Sequence, residues 1–234
     1  MCGRFTLTTP SDELASAFPG FVLPEDPHPR YNIAPGQDVL VVPNLENRRA
    51  AMYRWGLVPA WAKDPAVGHR LINARAETLA EKPSFRIPFR KRRCLILSDG
   101  FFEWKKAGKS RMPYYVRARE GRPFAMAGLW DIWHPLSGDA LRSCTIITTD
   151  ANPLVRKVHD RMPAILNPAD YLLWLAPETE KASSNELQTL LTPFPATEME
   201  AYPVSSLVNS PRNDLPQCIE PVPEAGLSTN SSLF

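Results

Sequence analysis

Apolar and polar residues alternate in short bursts along most of the chain, a period near two that predicts strands rather than long helices. The clearest runs are residues 39–42, 51–55, 94–97, 101–104, 114–117, 124–129 and 144–149, each bounded by Gly, Pro or Asp. A helical spacing predicts a short helix over 11–18, with Ser11 as cap, Asp12 and Glu13 in the first turn, and Leu14, Ala17 and Phe18 on one face. Asn152-Pro153 and Asn167-Pro168 each set a capping residue before a proline, which predicts helices running toward Val158 and Leu175. A further helix is expected over 184–191. There is no βαβ alternation, no internal repeat and no glycine-rich phosphate loop, so the expected class is α+β and β-dominated.

The 234 residues are 44% hydrophobic and 22% charged, enough to bury a core in one domain. That domain is expected over residues 1–222, with 223–234 as a disordered tail. The 25 prolines outnumber the 11 glycines, which predicts long loops between the strands. No apolar run reaches the length of a signal peptide core or a membrane span, so a soluble, cytoplasmic protein is expected. The four cysteines, Cys2, Cys94, Cys144 and Cys218, form no C-x-x-C pair, which argues against both zinc and a disulfide framework. Net charge is only +2, but residues 162–234 carry −7 and residues 1–161 carry +9. Arg86, Arg90, Lys91, Arg92 and Arg93 crowd together within the basic part, with no acid between Glu81 and Asp99. A phosphate-bearing partner fits that imbalance, and so does a solvated charged face.

Cys2 stands directly behind the initiator methionine. Removal of Met1 would leave an α-amine and a thiol on neighbouring atoms, with an amine pKa near ~8 and a thiol near ~8.5. Such a pair can condense with an aldehyde and close to a thiazolidine, or attack an amide with the amine as base. Glu103 lies in Gly100-Phe101-Phe102-Glu103-Trp104, where strand alternation puts it beside Phe101. Aromatic surroundings disfavour the carboxylate and predict a raised pKa suited to proton transfer; a surface glutamate paired with Lys105 is the alternative. His159 follows a short expected helix and is the histidine placed at a junction between elements; it suits a proton shuttle or a helix-end hydrogen bond. Asn73-Ala74-Arg75 offers an amide to orient a nucleophile and a guanidinium to fork onto phosphate. Trp61 ends a Pro turn where its ring could stack on a base, whereas Trp55 suits the core.

Taken together, these segments resemble the SRAP-domain family of abasic-site sensors, associated in bacteria with the SOS response. The resemblance rests on Met1-Cys2-Gly3-Arg4-Phe5, Arg30-Tyr31-Asn32-Ile33-Ala34-Pro35, Trp55-Gly56-Leu57-Val58-Pro59, Ile72-Asn73-Ala74-Arg75-Ala76-Glu77, Asp99-Gly100-Phe101-Phe102-Glu103-Trp104, Ala127-Gly128-Leu129-Trp130, Cys144-Thr145-Ile146-Ile147-Thr148 and His159-Asp160-Arg161-Met162-Pro163. Leu97-Ser98 departs from the Pro-Ala usual in the family, and the long clamp-binding tail of animal members is missing, so clamp recruitment is not expected.

The resemblance implies a curved antiparallel sheet or barrel-like core with short flanking helices. It implies a protein that cross-links to abasic sites in single-stranded DNA through Cys2, with an associated lyase activity and with Met1 absent from the mature form. Whether Met1 removal is self-catalysed stays open at this point. Cys2, Asn73, Glu103 and His159 would be catalytic, and Arg4, Pro35, Trp61, Arg75 and Arg161 would contact DNA. No cofactor, metal or membrane is implied, and the protein would act as a monomer, associated with the nucleoid in a bacterium. Two other readings remain: an N-terminal-nucleophile amidohydrolase of the glutaminase type, and a single-strand binding module without catalysis.

Overall fold

The computed structural model describes residues 2–108, 110–177 and 182–223. The expectations for Met1 and for the tail from residue 224 onward lie outside the described residues. In chain order the elements are strand β1 (Arg4–Leu7), helix α1 (Ser11–Ala17), β2 (Arg30–Ile33), β3 (Asp38–Pro43), β4 (Ala51–Trp55), β5 (Asn73–Arg75), α2 (Arg86–Lys91) and β6 (Arg93–Ser98). They continue with β7 (Gly100–Ala107), β8 (Ser110–Ala118), β9 (Phe124–Trp133), β10 (Leu141–Asp150), β11 (Arg161–Pro163), β12 (Ile165–Leu166), α3 (Tyr171–Leu175), α4 (Ser184–Thr189) and β13 (Met199–Pro203).

Each strand run expected from the alternation falls inside one of these strands. The helices differ more. Pro10, not Ser11, occupies the cap of α1, and no side chain caps that helix. Asn152 does cap, its Oδ1 accepting from the N–H of Leu154 and Val155 at 3.1 and 2.9 Å, but only a 3-10 turn follows over Val155–Lys157. The chain leaves that turn for β11, which pairs back onto β10, so no room remains for a longer helix. Asn167 makes no cap bond, and a 3-10 turn at Pro168–Asp170 leads into α3.

Strands β10, β4, β3, β6 and β9 pair in that order, and β9 returns to β10, which closes a five-stranded barrel. Closure removes the barrel's free edges. β4 and β5 run parallel to β10, a departure from the all-antiparallel expectation; the other pairings are antiparallel. A second, wholly antiparallel sheet has the order β13-β8-β7-β1-β2. The main core lies between the two: Phe5 of β1 and Trp55 of β4 are both fully buried and meet edge-on with ring centroids 5.1 Å apart.

β7 separates two apolar clusters by its alternation. Phe101 joins the main core, and Phe102 joins a smaller one with Tyr115, Val204, Val208 and Cys218. With both faces of β7 covered, Glu103 on the Phe101 side is only 2% exposed. The far end of β1 is pinned by Asp99, whose carboxylate accepts from the hydroxyls of Thr6, Thr8 and Thr9 and from the N–H groups of Thr8 and Thr9. That cluster satisfies a buried carboxylate with five donors and fixes the strand that follows Cys2. Gly56 has φ +128°, and a Cβ there would stand 2.8 Å from the carbonyl oxygen of Gly68. Two backbone segments therefore touch directly where the 56–62 loop leaves β4.

Candidate active site

Three elements converge on the start of β1. The β1–β7 register pairs Arg4 with Phe102 and Phe5 with Phe101, and its continuation sets the segment before Arg4 beside Glu103. β5 brings in Asn73, held level with Ile146 of β10. The loop between β10 and β11 brings in His159.

Asn73 Nδ2 donates to the carbonyl oxygen of Cys2 at 2.8 Å. Its Oδ1 is buried and has no hydrogen-bond partner among the described residues. The Cys2 sulfur is fully buried, 3.7 Å from the Arg4 carbonyl. Burial pushes the thiol well above its ordinary pKa, and the negative charge of Glu103 pushes it further. Burial also raises the Glu103 carboxyl to about 7, with Asp160 adding to the rise. A carboxyl group with that pKa holds and releases protons equally well near neutrality.

His159 Nδ1 accepts the backbone N–H of Arg161 at 3.0 Å. Asp160 Oδ1 also lies 3.0 Å from Nδ1. One nitrogen cannot accept from the backbone and donate to a carboxylate at once, and burial lowers the His159 pKa. A neutral ring that accepts this backbone bond at Nδ1 carries its proton on Nε2.

Asn73 thus holds Cys2, Glu103 acts electrostatically on Cys2, and Asp160, the sequence neighbour of His159, acts on Glu103. Beside it opens a cleft of about 560 Å³ lined by Arg75, Asp150, Arg156, His159, Asp160 and Arg161. Arg161 is 13% exposed and grips Glu77 through both Nη atoms at 2.7 and 3.0 Å, with further bonds to Asp150 and the Thr148 carbonyl. Glu77 is held below its usual carboxylate range by that contact.

Arg4 points elsewhere. Its Nη1 donates to Asn32 Oδ1 at 2.8 Å and to the Val208 carbonyl at 2.6 Å, and its Nη2 donates to the Asn209 carbonyl at 3.3 Å. Trp61 is 60% exposed and lines a separate cleft with Lys63 and Arg70. The loop that presents it is fixed at three points: Val58 N–H to Ser143 Oγ, Ala60 N–H to Asp131 Oδ2, and Trp133 Nε1 to the Ala62 carbonyl. Pro35 is half-buried in the turn after β2. The sequence reading did not single out Asp99, Asp131 or Arg156; Asp99 looks like an ordinary turn residue before Gly100, and only the fold gathers its five donors. No group of three or more His, Cys, Asp or Glu able to hold a metal occurs among the described residues, and no described helix is long and apolar enough to cross a membrane.

Residues 1–211 match the family described as SOS response associated peptidase (SRAP). The chain is 47% identical over 224 residues to abasic site processing protein YoqW of Bacillus subtilis, covering 94% of this chain and 99% of that protein. It is 36% identical over 193 residues to abasic site processing protein HMCES of Gallus gallus, covering 72% of this chain and 56% of the relative. A crystal structure of a Bacteroides thetaiotaomicron protein superimposes with a TM-score of 0.83 at 29% identity, over 94% of this chain and all of the other. With the closed barrel, the second sheet and the family's segments all present in one chain, the protein belongs to the SRAP family.

Proposed function

We propose that this protein processes abasic sites in single-stranded DNA by forming a covalent cross-link through Cys2. The relatives' name supplies the substrate class, and the hydrogen bond from Asn73 to Cys2, beside a carboxyl group with a near-neutral pKa, is the observation that carries the chemistry. Hydrolysis of the Met1–Cys2 peptide bond frees an α-amine. The amine adds to C1′ of the ring-opened sugar aldehyde and water leaves, giving an imine. The thiol sulfur then bonds to the same carbon while its proton passes to the imine nitrogen, closing a thiazolidine. Loss of the C2′ proton from the imine instead expels the 3′ phosphate, which is the lyase branch.

Glu103 carries protons in both steps, and the Nε2–H of His159 serves the sugar oxygen. Asn73 holds the Cys2 backbone, and its open Oδ1 is an acceptor for the new amine. Arg75 and Arg161 border the phosphate cleft, while Trp61 and Pro35 offer surfaces for neighbouring bases; Arg4 anchors the start of β1 and has Nε–H left for a phosphate. These are acid–base steps that call for neither metal nor cofactor. The same reading has a monomer acting in the cytoplasm on exposed single strands.

The test is a denaturing gel of the protein with single-stranded DNA bearing one abasic site. A heat-stable adduct that disappears in Cys2→Ala supports the proposal. Binding with no adduct would leave only the single-strand binding module, and hydrolysis of free glutamine without DNA binding would favour the amidohydrolase.

A further inference from the structure

Arg156 sits on the 3-10 turn before His159 and faces the same cleft as Arg75. The two differ from Arg161 in the donors they have left. Both Nη atoms of Arg161 are engaged twice, on Glu77 and Asp150 and on Glu77 and the Thr148 carbonyl, and its remaining donor, Nε–H, is unpartnered but buried, so a phosphate reaching the Nη atoms must displace a carboxylate or a carbonyl. Arg156 directs Nε and Nη2 at a single acceptor, the Ala151 carbonyl, at 3.2 and 3.0 Å. That bidentate bond fixes the guanidinium plane and leaves three N–H groups, including both on Nη1, directed away from the backbone. Among the described residues neither Arg156 nor Arg75 lies within ion-pair distance of a carboxylate, although the charge of Arg75 reaches Glu77, whose carboxylate Arg161 holds. Arg75 shares a face of β5 with Asn73, since successive strand residues alternate, and so projects on the side of the reactive centre. Asp150 and Asp160 also line the cleft; the first is bonded to Arg161, and the second is 86% exposed and able to turn to water.

We infer that Arg156 is a DNA-binding residue that, with Arg75, holds the phosphate next to the abasic nucleotide in the cleft beside His159. The inference rests on the abasic-DNA reading above. One guanidinium comes from a rigid strand and the other from a turn pinned by its own carbonyl, an arrangement that lowers the ordering cost of binding a phosphate. Because Arg156 lies three residues before His159, a phosphate held there also fixes the sugar relative to His159 Nε2.

The experiment measures binding of single-stranded DNA carrying an unreactive tetrahydrofuran abasic analogue, across a range of salt, for the parent, Arg156→Ala and Arg156→Gln. The glutamine can keep a hydrogen bond to the Ala151 carbonyl while losing the charge, so it guards against an effect of local unfolding. Each variant is expected to bind about tenfold more weakly and to lower the log–log salt slope by about 0.7, the value for one contact to a single-strand phosphate. The second arm replaces the phosphates flanking the analogue, one at a time, by uncharged methylphosphonates. At one position Arg156→Gln should cost nothing further, and Arg75→Ala should show the same blindness at that position. An unchanged salt slope in Arg156→Gln, or an equal loss on every methylphosphonate substrate, overturns the inference while leaving the cross-linking reading intact. A parent protein that binds neither abasic nor intact single strands sinks both.

Discussion

Asn73 and Cys2, 71 residues apart in sequence, are joined by a 2.8 Å hydrogen bond from the side-chain amide to the backbone carbonyl. The bond ties the segment just before β1, a strand of one sheet, to β5, which belongs to the other. It restrains Cys2 through its carbonyl, a bond that involves neither the backbone nitrogen nor the buried sulfur. Orientation of this kind matters because a displacement of about 1 Å at a reacting atom can cost about 100-fold in rate.

Asn73→Ala is therefore expected to slow adduct formation by at least about tenfold while leaving affinity for the unreactive abasic analogue within about twofold. Single-turnover cross-linking and equilibrium binding, measured on the same preparation, separate the two. Equal losses in both would make Asn73 a binding residue rather than a positioning one.

Cys2→Ala retains an α-amine and loses the sulfur. The expected outcome is no heat-stable adduct, with an imine still trapped by borohydride. A stable adduct in the alanine variant would rule out the thiazolidine.

Gly56→Ala probes the fold rather than the chemistry. The substitution meets both an unfavourable φ of +128° and a carbonyl oxygen 2.8 Å from the new Cβ, so something in the 56–62 loop or in the Pro65–Arg70 turn must move. Backbone strain of this sort costs about 1–3 kcal/mol, which lowers Tm by several degrees in a chain of this size. Calorimetry checks it, and a Tm within 1 °C (roughly the error of such a scan) would show that the loop yields freely.

The barrel strands were legible because runs of apolar and β-branched residues bounded by Gly, Pro or Asp mark them, as in Cys144-Thr145-Ile146-Ile147-Thr148 of β10. β1, β5 and β11 were not, because three or four residues carry no measurable period; Asn73-Ala74-Arg75 is a strand only through its pairing with β10. The helix expected after Pro153 fails for a similar reason: a cap sets where a helix starts, while tertiary pairing of Arg161 with Asp150 sets where it must stop. The site shows the same division. The aromatic neighbours of Glu103 pointed to burial, but alternation fitted a surface glutamate as well, and only the cover on both faces of β7 decides between them. The donors still open on Arg156, and those already engaged on Arg161, depend on carbonyls and carboxylates from other elements, and no local pattern reports them.

Glu103→Gln links the proton chemistry to stability. The Glu103 pKa is raised from its ordinary 4.5 to about 7 in the folded protein. Between those values the folded state holds a proton that the unfolded chain has released, so stability falls as pH rises through this window and stays lower above it. At about 1.4 kcal/mol per pKa unit, the carboxylate costs on the order of 3 kcal/mol above pH 7, and nothing below about pH 4. Glutamine keeps the shape and never ionises. Its variant should match the parent in Tm near pH 4.5 and exceed it by several degrees at pH 8, while cross-linking falls by about 10²–10⁴-fold, the usual contribution of general acid–base catalysis. Thermal scans and single-turnover rates from pH 4.5 to 8.5 test both halves. A Tm difference that does not change with pH would mean Glu103 ionises normally in its strand, and a parent-like rate across the range would remove it from the chemistry.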